Sequence, residues 1–427
     1  MILRRILPII LMPLALTGRG INNKLIPVYD GYAATSVNTA VFRANSLVSD
    51  STAQYIAFYN SDGFLTIGKR NLDSDRWTIN VSKYRGRVED AHNTISIMLD
   101  GDNYLHVAFD HHGDTLKYCR SLLPGGIELG DLTAMVGTLE DDVTYPEFYK
   151  LSTGDLLFAY RHGASGRGNL VLNRYDVANQ TWYRLQDVLI DGENERNAYW
   201  QIFVDKNDKI HISWVWRESW LVETNHDLCY ACSSDGGLTW QRSDSTEYVL
   251  PITEATAEKA WCIPQNSELI NQTSMTTDSD GHPYIATYWR DADSDIPQYR
   301  LVWHDGNDWH ARQISNLKTK FSLSGGGTKM IPISRPRIAT DGRKIYYIVR
   351  ESERQSRVSL YSGQLNEEQL KVSDLTDFSV DAWEPSYDTE LWKSRNKLHI
   401  FVQRTSQGDG EKVTDLPPQM VYVLEVE

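Results

Sequence analysis

One strand-like segment recurs seven times along the chain, and each copy follows a turn rich in Asp, Gly, Asn or Ser. A polar or aromatic residue leads, and β-branched or aromatic residues follow, in Gln54–Phe58, Tyr104–Phe109, Leu156–Tyr160, Lys209–Trp214, Pro283–Tyr288, Lys344–Val349 and Lys397–Val402. Aligned on Ile56, Val107, Phe158, Ile212, Ile285, Tyr347 and Ile400, the copies lie 51, 51, 54, 73, 62 and 53 residues apart. A β-sandwich spaces its strands more closely and without such a period. A helical solenoid needs apolar stripes of helical period, and the chain has none. The interval suits the roughly 40 to 50 residues of a four-stranded blade plus its loops. The expectation is therefore an all-β, seven-bladed β-propeller filling residues 21–427 as a single domain. Val421–Val426 alternates like a strand, which predicts closure by pairing the end of the chain with an N-terminal strand.

A second signature supports the repeats. Ser233-Ser234-Asp235-Gly236-Gly237-Leu238-Thr239-Trp240 fits the pattern Ser-x-Asp-x-Gly-x-Thr-Trp at every fixed position, with weaker relatives at Asp73–Trp77, Asn179–Trp182 and Asp305–Trp309. The pattern encodes a hairpin turn in which Asp accepts backbone N–H groups, Gly takes a positive φ and Trp packs between sheets. It is structural and carries no catalytic information.

Composition excludes several classes. With 43 Lys and Arg against 57 Asp and Glu, the net charge is −14 and no basic block occurs, so no nucleic-acid or anionic-membrane surface is expected. At 41% hydrophobic, with 13 Trp and 23 Tyr, the chain can bury a large core and is not disordered. Arg4 and Arg5 precede an apolar run from Ile6 to Leu16 that is too short to span a bilayer, so residues 1–20 read as a signal peptide. No cysteine precedes Cys119, so no lipid-anchored cysteine is expected there. An exported protein, periplasmic or secreted and without membrane insertion, is expected, as a monomer. Four cysteines are too few for a disulfide framework, and the Cys229/Cys232 pair sits in a strand pattern that turns its thiols to opposite faces.

The densest polar cluster is Asp90-Ala91-His92-Asn93, followed by Asp110-His111-His112. His106 occupies a repeat position that Tyr284 and His399 share, which marks it as packing. His92, His111 and His112 lack that explanation and fall at a strand start and a strand end, where propeller loops form a rim. A metal reading of the three exists, but their spacing is far less specific than a zinc finger's, and no metal site is assigned. The next repeat adds Tyr145 and, sixteen residues on, Arg161. Arg217 and Arg290 end later repeat strands at the corresponding place. Solvated surface arginines are the bland reading. The sharper one is an acidic ligand gripped by guanidinium groups at one rim.

At these residues the chain resembles secreted seven-bladed propellers carrying BNR repeats. They include ulvan lyases and L-rhamnose-α-1,4-D-glucuronate lyases, with related α-L-rhamnosidases acting on arabinogalactan. The resemblance spans roughly residues 25 to 425 and rests on the His92/His112 spacing, the Tyr145/Arg161 spacing and the Leu269-Ile270-Asn271-Gln272 segment. It implies a polysaccharide lyase that cleaves at C4 of a uronic acid, with rhamnose-capped glucuronate in arabinogalactan-type glycans as the expected target. His92, His112, Tyr145 and Arg161 are the implied catalytic residues. Arg217, His111, Asn271 and Arg290 are implied substrate contacts, and His111 takes the place of His112 if the alignment slips by one residue. No cofactor is required, though a structural divalent cation such as calcium is compatible with the family. The expected partner is an acidic plant or algal polysaccharide or oligosaccharide.

β-Elimination needs such groups: a cation to neutralise the carboxylate, a base for the C5 proton and an acid for the C4 oxygen. Arg161, helped by His92 or Arg217, suits the first task, and His112 and Tyr145 jointly suit the others. The alternatives are a rhamnosidase-like hydrolase and a non-catalytic glycan-binding propeller. The rhamnosidase relatives use a histidine in the first blade, yet no histidine precedes His92, and Gln54 stands where a basic group is wanted.

Overall fold

The computed structural model describes residues 23–40 and 45–426, so the expected signal peptide at 1–20 lies outside them. Within that range the fold is almost entirely β, with one short α-helix, Thr389–Arg395. The strands form consecutive antiparallel groups, each built by neighbouring strands in chain order. The first joins Leu47–Ser49, Ala53–Tyr59, Phe64–Asn71 and Thr78–Arg85; the next joins Ile95–Leu99, Leu105–Phe109 and Tyr118–Arg120. Val143–Lys150, Leu156–Ala164, Arg167–Asp176 and Thr181–Ile190 follow, and then Asn197–Val204, Ile210–Arg217, Asn225–Ser233 and Glu258–Trp261. These two groups are linked by a parallel bridge between Gly168 and Asn197, and Ile190 makes another to Ile252. Two further four-stranded sheets run from Ser274 to Gln313 and from Arg337 to Asp374.

The last group joins the two ends of the described chain. Gln419–Val426 lies between Leu398–Gln403 and Asn23–Gly31, so the expected N-terminal to C-terminal pairing is present. Every recurring segment became a strand, and each lies second in its group or, for Leu398–Gln403, beside a bridge from Tyr387. The first strands of successive groups touch one another in order, and the helix Thr389–Arg395 packs on Leu47–Ser49 and on Leu398–Gln403. The arrangement is propeller-like. Strand ends that follow the recurring segments therefore gather on one side of the molecule.

Near-continuous apolar runs, rather than alternation, explain why the recurring segments sit inside: Ala53–Tyr59 and Leu105–Phe109 are buried on both faces between neighbouring sheets. Trp214, Trp216, Trp240 and Trp383 are fully buried in these layers. The Ser233–Trp240 turn forms as its residues dictate. Asp235 accepts from the amides of Leu238 and Thr239 at 3.0 Å, Gly236 and Gly237 adopt φ of 78° and 96°, and the Trp240 indole donates to the Gly237 carbonyl at 3.1 Å. His106 is core, bonded to Asp100 at 3.1 Å and to the Tyr118 hydroxyl at 2.8 Å. His211 repeats the device with Asp205 and Tyr230. The four cysteines are free thiols, and only Cys262 is exposed.

Candidate active site

Asp90 organises the first half of the site. It lies within the turn before Ile95–Leu99, accepts from the His92 amide at 2.9 Å and from His92 Nδ1 at 2.8 Å through one oxygen, and meets His112 Nδ1 at 2.6 Å through the other. One carboxylate thus fixes two imidazoles, which stack with centroids 4.1 Å apart and planes 17° from parallel. Glu411, from a loop between the two C-terminal strands, approaches His92 Nδ1 at 3.2 Å. It also accepts from the backbone amides of Ala91 and Thr328. Because Nδ1 of each ring faces a carboxylate, the Nε2 atoms are turned toward other partners.

Tyr145 begins the second half. Its backbone lies in the left-handed region, at φ 56°, within an irregularity of the pairing between Val143–Lys150 and Leu156–Ala164. A tyrosine there costs about 1–2 kcal/mol, a strain that folded proteins retain where a side chain must be aimed. Its ring lies 6.0 Å from His92. Opposite Thr144 in the ladder stands Arg161, whose guanidinium covers the Tyr145 ring at 4.9 Å. Arg161 Nη2 donates to Thr144 Oγ1 at 3.1 Å and Nε to the Gly163 carbonyl at 3.0 Å. Nη1 has no hydrogen-bond partner among the described residues, although the residue is only 2% exposed. Gly168 makes the fit: a Cβ there would sit 2.7 Å from Arg161 Cδ.

The next sheet duplicates this pair. Tyr199 holds the third position of Asn197–Val204 as Tyr145 does of Val143–Lys150, and Arg217 covers the Tyr199 ring at 5.3 Å. The two phenol rings lie 5.9 Å apart. Arg217 Nη1 reaches the Tyr199 hydroxyl at 3.4 Å, Ser165 Oγ reaches it at 3.2 Å, and Arg217 Nη2 donates to the Trp220 carbonyl.

Charge is set by these neighbours. Burial opposes the His92 imidazolium, but hydrogen bonds to Asp90 and Glu411 outweigh it and raise its pKa to about 9. Burial likewise opposes ionisation of Asp90, yet the bonds from His112 and His92 hold it well below the usual carboxylate range. The two phenols share one environment. Burial raises Tyr145 strongly, whereas at Tyr199 the Arg217 and Arg161 guanidiniums overcome burial and lower the pKa to about 8. The cluster thus contains a held imidazolium, two guanidiniums and a phenol pair with one readily ionised member.

His111 is a correction. It is fully buried, its Nε2 accepts from the Lys117 amide at 2.7 Å, and burial together with Lys117 depresses its pKa to about 3. Adjacent residues in extended chain face opposite ways, so His111 turns into the core where His112 turns out. Neither a substrate contact nor a shared metal with His92 and His112 is open to it. Asp90, His92 and His112 converge closely enough to hold an ion, but their facing atoms are already engaged in two short imidazole–carboxylate hydrogen bonds. Asp278, Asp280 and His282 make a second such group, on a turn.

Two further expected contacts are engaged with protein groups of their own. Asn271 turns its amide to Gln272 and gives its carbonyl to Arg335 Nε at 2.9 Å. Arg290 donates to the carbonyls of Asn266 at 2.6 Å and Ser294 at 3.3 Å, which pins its own loop. Tyr199 was missed, although the signal existed: the 54-residue interval between these repeats carries Tyr145 onto Tyr199, with Arg217 two residues past the position that corresponds to Arg161. Glu411 carried no signal, because it reaches His92 across 319 positions from an irregular loop.

Comparison with known proteins agrees with the repeat pattern, since residues 53–317 match the model of the BNR repeat-containing family. The chain belongs to that family. It is 23% identical over 258 residues to an ulvan lyase of Alteromonas sp. (strain LOR), covering 52% of this chain and 53% of that protein. The short isoform from the same organism is 23% identical over 210 residues, 44% of this chain and 40% of that one. The chain thus spans about half the length of these curated relatives. Among solved structures, the polysaccharide lyase Uly1 superimposes with a TM-score of 0.68 at 14% identity, over 94% of this chain and 97% of that one. A PL25 ulvan lyase bound to -[GlcA(1-4)Rha3S]- gives 0.66 at 16% identity, over 93% and 95%. This BNR-repeat protein shares their fold.

Proposed function

We propose that this BNR-repeat protein is a secreted, seven-bladed polysaccharide lyase that cleaves at C4 of a glucuronate by β-elimination, with rhamnose as the neighbouring sugar. The observation that carries the reading is the buried Nη1 of Arg161, without a hydrogen-bond partner among the described residues, beside the His92 imidazolium and the phenol of Tyr145. An unpaired buried guanidinium N–H is costly, and a carboxylate would satisfy it. Likeness to ulvan lyases, one of them bound to a glucuronate–rhamnose glycan, supports the same chemistry.

In the proposed reaction Arg161 and the His92 imidazolium bind the uronate carboxylate and stabilise the charge that grows on it. His112, its Nδ1 proton held by Asp90, accepts the C5 proton at Nε2. That electron pair forms the C4=C5 double bond as the C4–O bond breaks. Tyr145, whose burial keeps its proton in place, donates it to the departing oxygen; after product release His112 gives up the C5 proton to solvent and Tyr145 regains one from it. Arg217 keeps Tyr199 poised beside it. The products are an unsaturated uronate and a new free end, and no water is consumed in the cleavage. In the first sheet, buried Gln54 stands where a basic group would be wanted, bonded to Asp388 at 2.8 Å and to Arg70.

The test is incubation with a glucuronate–rhamnose oligosaccharide. A rise in ultraviolet absorbance from the conjugated double bond, with products summing to the mass of the substrate, is expected. Saturated products one water heavier in sum would overturn the lyase reading in favour of a hydrolase, and firm binding without any product would favour a lectin.

A further inference from the structure

Of the thirteen tryptophans, Trp220 is the only exposed one, at 60%. Leaving an indole in water forgoes one of the largest burial gains a side chain offers, so its position calls for a cause. Trp220 is tied to the site from two sides. Its carbonyl accepts from Arg217 Nη2, and its backbone lies against the Gly166 turn, where a Cβ would meet the Trp220 amide nitrogen at 3.5 Å. That turn also carries Ser165, which reaches the Tyr199 hydroxyl.

The far side is a glycine-rich loop. A Cβ on Gly326 would lie 2.9 Å from Trp220 Cε3 and 3.3 Å from Cζ3, so the indole rests on bare backbone. Gly325 holds the loop in place: its carbonyl accepts from the Val222 amide at 2.9 Å, and its amide donates to Glu223 at 2.9 Å. The same loop continues to Thr328, whose amide donates to Glu411, the partner of His92. The segment that supports the indole therefore also steadies the imidazolium.

We infer that Trp220 is a stacking platform for the pyranose ring next to the uronate, a binding role resting on the lyase reading of the same site. A flat, rigid aromatic surface suits the C–H face of a sugar. Its placement beside Arg217, which covers Tyr199, sets the platform at the edge of the site without taking part in proton transfer. Trp220 therefore contributes to affinity and to sugar choice, and the acid and base residues to turnover.

The experiment compares wild type with Trp220→Ala, Trp220→Phe and Gly326→Ala on a glucuronate–rhamnose oligosaccharide, by steady-state kinetics and by calorimetric titration into a His112→Ala background. Trp220→Ala should raise KM roughly tenfold with kcat nearly unchanged, as expected for a lost aromatic contact. Trp220→Phe should recover most of the loss, and Gly326→Ala should shift KM in the same direction as Trp220→Ala by displacing the ring. An unchanged KM and titrated affinity in a folded Trp220→Ala protein would overturn the platform. So would a fall in kcat alone. If wild type yields no unsaturated product, the elimination reading fails separately, and the titration still decides whether Trp220 binds the sugar.

Discussion

Arg161 and Arg290 both end repeat strands, but only one of them has an idle buried N–H at the site. Arg161→Ala should slow elimination about 10²- to 10⁴-fold, while Arg290→Ala should leave activity within about threefold, in side-by-side initial rates. Arg161→Lys keeps the charge and loses the planar fork, and should stay badly impaired. A second expectation concerns pH. His92 has its folded pKa raised from 6.5 to about 9, so its charge and the stability it lends are complete below pH 6.5 and lost as pH rises through about 9. The alkaline fall of kcat/KM should follow it. Glu411→Gln removes one of the two carboxylates that raise it, so that fall should move to lower pH, and it should persist in Tyr199→Phe, which removes the other group titrating nearby. A profile unmoved by Glu411→Gln would show that the His92 charge is not needed. At this scale the sequence made His92, His112, Tyr145 and Arg161 legible because repeat position and residue type agreed. It misled at His111, where facing direction depends on a single-residue alternation, and Glu411 and Trp220 stayed hidden because irregular loops carry no periodicity.

Turns and strands were easier to read, since their rules are local. The Ser233–Trp240 turn depends on Asp235, which accepts from two backbone amides, from Thr239 Oγ1 at 2.8 Å and from Ser233 Oγ at 2.8 Å. Asp235→Ala should cost roughly 1–2 kcal/mol in urea unfolding and leave kcat unchanged, because the turn lies outside the His–Tyr–Arg cluster. The recurring segments lie within four residues of the observed strand ends, several of them coinciding. The extension of Leu156–Ala164 past Tyr160 was not legible, because Arg161 to Ala164 are polar or small and break the apolar pattern. That extension carries Arg161 to the site.

Long-range closure was legible only in part. Alternation in Val421–Val426 announced a strand, and its register against Asn23–Gly31 needed the fold. Deleting 419–427 should abolish cooperative folding by circular dichroism. It would remove Val421 and Val423 from a core shared with Ile56, Phe58 and Phe401 and strip two strands of their partner. Retention of a sharp thermal transition would contradict this account of closure. The same closure brings Glu411, near the end of the chain, onto His92, so the site is completed only when the ends meet. The central claim is that this His–Tyr–Arg cluster performs elimination. It is tested most directly by following unsaturated uronate from a glucuronate–rhamnose oligosaccharide with wild type and His112→Ala. The account predicts steady formation by wild type and a rate about 10²- to 10⁴-fold lower for the variant, with sugar binding retained. Equal rates from the two proteins, or saturated products from wild type, would contradict it.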